Sequence, residues 1–281
     1  MADQENIGWL RERLEASLGI EPRDPAEILD WLQTRRKSVA FSAELIPLRD
    51  VVGWHQADNG NLYSATGQFF RIEGVRVKSA PGVREMAGWD QPILTQSEGG
   101  VLALLCRETS TRGIEFLLQA KADPGNIDYL QFCPTVQSTW ENIRGLSGAN
   151  RAPLAEYLDP SENIRVIYRS KHNEEGSRFW QKTNENMILF VRDASRLTCD
   201  AATYRWASLS RIKQMILLDN IVGLMCGRSL LRSRPPRGQR KGRLPFWNGV
   251  RSLRTRRREC PTIRAADAIP LPCTALSVPP C

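Results

Sequence analysis

The 281 residues hold only two histidines, His55 and His172, and no two of the seven cysteines are spaced as CxxC. The zinc and redox sites that need such clusters are therefore poorly supported. No G-x-x-x-x-G-K-[ST] loop, G-x-G-x-x-G turn or G-x-S-x-G elbow occurs either. Those absences remove the main signals of P-loop nucleotide hydrolases, Rossmann dehydrogenases and serine hydrolases. Long apolar runs are lacking too: the longest, Met215 to Cys226, is broken by Asp219 and Asn220, far short of a membrane span. The N-terminus has acidic residues before any apolar run, so nothing in it directs the chain out of the cytoplasm. The odd, scattered cysteines read as buried or idle thiols of a reducing compartment.

What is present begins with charge. The chain carries a net +8, yet from Arg228 to Cys281 there are thirteen Arg and Lys against Glu259 and Asp267, a net +11 that leaves residues 1–227 at −3. The basic character belongs to the tail, and the overall pI says nothing about what the rest binds. A nucleic-acid-binding tail would need aromatic residues interleaved with its arginines, and this one offers only Phe246 and Trp247. Dense in Arg and Pro and without sustained period, the tail is expected to be disordered.

Asp24 before Pro25, with Ile28, Leu29 and Leu32 on one face, predicts a helix from about Pro25 to Arg36. Residues 3–18 form a weaker amphipathic helix. After Trp54 the period shortens: Asp58-Asn59-Gly60-Asn61 signals a turn, and Phe69 to Val77 reads as a strand. GVLALLCRETSTRGIEFLLQAK is a hairpin turning at Ser110 to Gly113. Further strands are expected at Tyr129 to Cys133, Ile164 to Tyr168 and Met187 to Val191, and helices at Val136 to Leu146 and Ser208 to Leu218. Hairpins with helices set between them indicate a mixed α+β domain. The expected organisation is a helical segment at 1–50, a folded repeat at 51–227 and the tail at 228–281.

Three stretches carry uncommon specificity: REMAGWDQPILTQSEGGVLALL, EFLLQAKADPGNIDYLQFCPTVQSTWENI and GSRFWQKTNENMILF. As a linear series over Trp54 to Asn220 they resemble the NDP-hexose 2,3-dehydratase family of deoxysugar biosynthesis. The resemblance implies a Nudix-like mixed sheet with flanking helices, no cofactor or metal, and a dTDP-4-keto-6-deoxy-hexose substrate. It also implies a cytoplasmic lyase, a homodimer where the fold is intact, and neither nucleic-acid nor membrane partners. Arg84 and Glu85 match the start of a Nudix box, but Ala-Gly-Trp follows Met86 in place of magnesium-holding carboxylates.

The implied chemistry is removal of the carbon 3 proton, acidified by the carbon 4 ketone, with hydroxide leaving carbon 2. It calls for a base, donors for the enolate and an acid. Lys121, Gln137 and Glu115 are the expected catalytic residues; Glu85 and Tyr168 share with Glu115 the candidacy for base. Arg84, Gln119, Asn126, Gln131, Thr135, Thr139, Asn142, Arg178 and Lys182 are expected to bind substrate, with a helix beginning near Val136 aiming its free amides at the diphosphate. Ordinary structure offers its own account of several: Thr135 and Asn126 as caps or turn residues, Lys121 as a solvated lysine, Arg84 and Glu85 as a local ion pair.

Ser64 and Ile143 depart from the family pattern, which has histidine and tyrosine there. The series Asp219-Asn220-Ile221-Val222 opens like a repeat end and then diverges, as a change of reading frame would produce. Family members carry two such repeats. A non-catalytic nucleotide-sugar-binding module of the same fold is the alternative.

Overall fold

The computed structural model describes residues 2–18, 25–67, 69–83, 85–145 and 151–223; Arg84 and the tail lie outside them. All belong to one compact unit. Two helices, α1 (Ala2–Leu18) and α2 (Ala26–Ser38), precede a small antiparallel sheet of β1 (Trp54–Gln56), β2 (Leu62–Ser64), β3 (Arg71–Lys78) and β4 (Gly88–Thr95). The larger sheet comprises β5 (Gly100–Thr109), β6 (Gly113–Ala122), β7 (Leu130–Cys133), β8 (Val136–Thr139), β9 (Ile164–Asn173), β10 (Thr183–Val191) and β11 (Tyr204–Ser208). The short α3 (Trp140–Arg144) follows β8, and α4 (Leu209–Ile216) follows β11. In the larger sheet the order is β11-β6-β5-β10-β9, with β10 parallel to β5 and the other neighbours antiparallel. The fold is mixed α+β.

Alternation along β5 and β6 explains why this sheet is buried on both faces. Leu104, Cys106, Phe116 and Leu118 point to one face, where Leu10, Leu14, Ile28 and Leu32 of α1 and α2 and Ile212 of α4 cover them. Val101, Ala103, Leu105 and Leu117 point to the other, against Ile143, Leu154 and Leu158. Trp31 of α2 stacks on Phe132 with ring centroids 5.8 Å apart, and Trp9 of α1 meets Phe190 edge-on at 4.7 Å. Arg36 ties α2 to β7 and to the chain beyond α4, donating to the carbonyls of Leu130 (3.0 Å) and Asn220 (2.6 Å). The stretch after α4 then bridges β7: Phe132 N donates to Ile221 O, and Gly223 N donates to Phe132 O.

At the centre, β5 and β6 pair only from Cys106↔Phe116 to Thr109↔Gly113 and then part. Into the fork run β7, pairing β6, and β8, pairing β5. Thr135, fully buried at the crotch, accepts a hydrogen bond from Leu105 N at 2.9 Å and donates to Leu117 O, so one hydroxyl bridges the parted strands.

Val136–Thr139 is thus a strand, not the first turn of a helix running to Leu146. The edge of β5 beyond the fork needs a backbone partner, and β-branched Val136 and Thr139 suit one. The helix begins only at Trp140, capped by Thr139 Oγ1, which accepts from Asn142 N at 3.3 Å. Strands β4 and β11 were not foreseen, whereas α2, the β5–β6 hairpin, β7, β9, β10 and α4 fall where the pattern places them. Among the described residues no helix is long and apolar enough to cross a membrane.

Candidate active site

The mouth of the fork opens into a cavity of about 350 Å³. Its walls are Gly100 and Leu102 of β5, Lys121 of β6, Gln137, Ser138 and Thr139 of β8, Asn142 of α3, and Glu174, Lys182 and Asn184 from the end of the β9–β10 hairpin. The backbone comes close because Gly99 and Gly100 carry no side chain. A Cβ on Gly99 would lie 2.7 Å from Thr183 O, and one on Gly100 3.0 Å from Asn184 Oδ1.

Lys121 Nζ donates to Asp123 Oδ1 at 2.6 Å and stays partly exposed. Lys182, half-buried, donates to Gln96 Oε1 at 2.7 Å. Burial holds its ammonium below the ordinary lysine value, with Glu174 and Glu98 working against that shift. Gln137 Oε1 is buried without a hydrogen-bond partner, a costly arrangement unless a ligand donates to it. Asn184 links the rim together: its Oδ1 accepts from Gly100 N at 2.9 Å, and its Nδ2 donates to Glu174 Oε2. Glu174 is the one carboxylate among the lining residues.

The cavity therefore gathers Lys121, Gln137, Thr139, Asn142 and Lys182 from the residues singled out in the sequence. The others lie elsewhere. Glu115 is buried beneath two guanidiniums, Arg107 at 2.9 Å and Arg112 at 3.2 Å. Thr135 is the bridge at the crotch. Asn126 closes a turn by donating to Tyr129 O at 3.0 Å. Gln119 lies along β6, opposite Cys133 and Tyr204, and Gln131 opposite Lys121 in the β6–β7 register. Arg178 is exposed in an ion pair with Glu175. Glu85 is exposed, and Tyr168 Oη shares a 2.6 Å hydrogen bond with His172 Nε2. Arg84 lies outside the described residues. Of the departures, Ser64 is buried beside Thr66 Oγ1, and Ile143 fills the core against Val101.

Glu174 and Asn184 were passed over in the sequence. Both sit in polar runs, HNEEGS and QKTNEN, where turn chemistry explains them well enough. A carboxylate and an amide ending two adjacent strands was the available signal. Cys106, Cys133 and Cys199 are free, and burial raises the thiol of each, that of Cys133 to about 12. Cys226, Cys260, Cys273 and Cys281 lie outside the described residues.

Together these features define a mixed α+β domain with a lysine-bearing polar cavity suited to an anionic ligand rich in hydroxyls. The chain belongs to the NDP-hexose 2,3-dehydratase family, whose model matches residues 25–233. A dTDP-4-dehydro-6-deoxy-α-D-glucopyranose 2,3-dehydratase of Amycolatopsis orientalis is 34% identical over 213 residues, covering 74% of this chain and 44% of that one. A protein of the same name from Saccharopolyspora spinosa is 32% identical over 195 residues, covering 69% and 39%. The chain spans less than half the length of these curated relatives. Among solved structures, a Nudix hydrolase from M. smegmatis aligns with TM-score 0.33 and 18% identity over 56% of this chain and 92% of that one. An ADP compounds hydrolase aligns with TM-score 0.36 and 11% identity, over 58% and 84%.

Proposed function

We propose that the chain eliminates water across carbons 2 and 3 of a dTDP-4-keto-6-deoxy-hexose, with the cavity at the fork as the reaction site. The observation that carries the reading is the meeting of Lys121 and Gln137 with Lys182, which comes from a distant stretch of sequence, in one cavity of a chain about a third identical to named 2,3-dehydratases. Lys121 donates to the carbon 4 oxygen as the enolate develops, and Lys182 pairs with the diphosphate. Gln137 Oε1 accepts from a hexose hydroxyl. Glu174 takes the place of Glu115, Glu85 and Tyr168 as base, being the carboxylate that lines the cavity. The carbon 3 proton passes to Glu174, the electrons move through the enolate to expel the carbon 2 hydroxyl, and that hydroxyl takes the same proton back from Glu174 and leaves as water, which restores the carboxylate. The resulting enol tautomerises to the 3,4-diketo sugar.

The test is a proton NMR time course of dTDP-4-keto-6-deoxyglucose with the full chain in heavy water. Loss of the carbon 3 proton with breakdown of the sugar is expected, as is its suppression in Glu174→Gln. Line broadening without exchange would instead leave a binding module.

The lowered ammonium of Lys182 gives a pH dependence. Only the protonated form pairs with a diphosphate, so dTDP affinity falls as pH rises through the depressed value, below the ordinary lysine value of 10.5. Calorimetric titration from about pH 7 to about pH 10 should show the decline. Lys182→Arg, which stays charged throughout, should abolish it.

A further inference from the structure

The parallel pairing of β10 with β5 stops at Glu185↔Val101. One residue nearer the cavity, Gly100 still turns its N–H towards β10, and a donor beyond the end of the ladder needs an acceptor of its own. That acceptor is the Asn184 side chain, whose Oδ1 lies 2.9 Å from Gly100 N. Glycine suits the close approach, since a Cβ on residue 100 would lie 3.0 Å from the same oxygen. Asn184 is only 5% exposed, and Asn186 Nδ2 donates to its backbone carbonyl at 3.2 Å. The residue is thus held at both its root and its tip.

An amide held in this way has one orientation. Gly100 N can only donate, so the Asn184 oxygen must face it and the NH2 group is turned the other way. What that group meets is the carboxylate at the cavity wall: Asn184 Nδ2 donates to Glu174 Oε2. The backbone of Glu174 is fixed too, its N donating to Lys182 O at 2.9 Å across the end of the β9–β10 hairpin. Its side chain, with three rotors, would otherwise sample several arrangements at the edge of a cavity. A donor on Oε2 selects one of them. An ionised carboxylate only accepts, so the bond is made to the form that can take up a proton, and Oε1 is left to receive it.

We propose that Asn184 is a positioning residue for the elimination, aiming the Glu174 carboxylate at the carbon 3 proton. This rests on the dehydratase reading, with Glu174 as base, and adds to it the side chain that sets the geometry of the base. The order of dependence runs from the Gly100 backbone through the Asn184 amide to the Glu174 carboxylate, so the ends of β5, β10 and β9 act together. Proton transfer is sensitive to such an arrangement, because a reacting group misplaced by about 1 Å loses roughly 10²-fold in rate.

The experiment follows carbon 3 proton loss from dTDP-4-keto-6-deoxyglucose in heavy water with the full chain and its variants. Asn184→Ala should lower kcat roughly 10- to 100-fold, with KM within about twofold of the parent. Asn184→Asp separates positioning from the hold on Gly100. It keeps an oxygen for Gly100 N and replaces the donor to Glu174 by a second carboxylate, which repels the first. Its kcat should therefore fall at least as far as that of Asn184→Ala, although the rim stays tied. In Glu174→Gln nothing is left to aim, and adding Asn184→Ala there should change the residual rate by less than about twofold. The proposal is overturned if Asn184→Asp keeps the parent kcat, or if Asn184→Ala costs the same factor with and without the Glu174 carboxylate. Where Glu174→Gln has lost the exchange and Asn184→Asp has not, the positioning alone is wrong. Exchange at the parent rate in Glu174→Gln overturns the base and the positioning with it, and a parent chain without exchange overturns the dehydratase reading as a whole.

Discussion

Lys121→Met should lower the rate of carbon 3 proton loss by roughly 10²- to 10³-fold, the usual cost of removing one donor from a developing oxyanion. Methionine keeps an unbranched stem of similar length and removes only the ammonium. Because the enolate oxygen gains its charge on the way to the transition state, the interaction is stronger there than with bound substrate. The loss should therefore appear in kcat, with dTDP affinity and KM within about twofold of the parent. Stability is a weak competitor for the effect. The Lys121–Asp123 pair is 28% and 34% exposed, and pairs open to solvent contribute at most about 1 kcal/mol. Lys121→Arg retains charge, but its planar fork does not place one donor where the ammonium stood, so partial activity is expected. A Lys121→Met chain that keeps more than a tenth of the parent rate would mean that Lys121 serves only to hold Asp123.

Local pattern revealed most of the large sheet because its strands are continuous apolar runs, as strands buried on both faces must be. Leu102 to Cys106 and Phe116 to Leu118 are such runs, and the Ser110 to Gly113 turn fixed their register. That register places Arg107 opposite Glu115. A carboxylate that the motif offered as a base is therefore locked in an ion pair by the same hairpin. Strand β4 escaped notice because GWDQPILT opens with Gly, Asp and Pro among its apolar residues, and its partners, β3 along its length and the 174–182 segment at Leu94, lie outside its own stretch of chain. In β11, YRWAS reads as neither period. The misreading of Val136–Thr139 has a different origin. Polar and β-branched residues before WENI look like a helix entry, and only the parting of β5 from β6 creates the edge that draws them into a strand. The site divides along the same line. Lys121, Gln137, Thr139 and Asn142 were legible because the motif runs through them within a short stretch of chain. Glu174 and Asn184 reach the cavity by a contact across 84 residues, Gly100 to Asn184, and short-range pattern carries no trace of it.

Thr135→Val should destabilise the domain by about 2–5 kcal/mol, although the two side chains have nearly the same shape. The hydroxyl is fully buried and satisfies two backbone groups, Leu105 N and Leu117 O. A methyl in its place removes both partners, and each buried polar group so stranded costs about 1–3 kcal/mol. For a domain of this size that lowers Tm by roughly 5–20 °C, a large part of an ordinary stability of about 5–15 kcal/mol. Thr135→Ser, which keeps the hydroxyl and loses one methyl, should cost only about 1 kcal/mol. Urea unfolding of the three chains separates the terms: a valine variant as stable as the serine variant would show that packing, not the bridge, holds the crotch. Function follows from the same hydroxyl. The distance between parted β5 and β6 sets the distance between Leu102 with its β8 neighbours and Lys121, which are two walls of the cavity. A fork without its bridge should then bind dTDP more weakly even below its unfolding transition, while Thr135→Ser binds as the parent does.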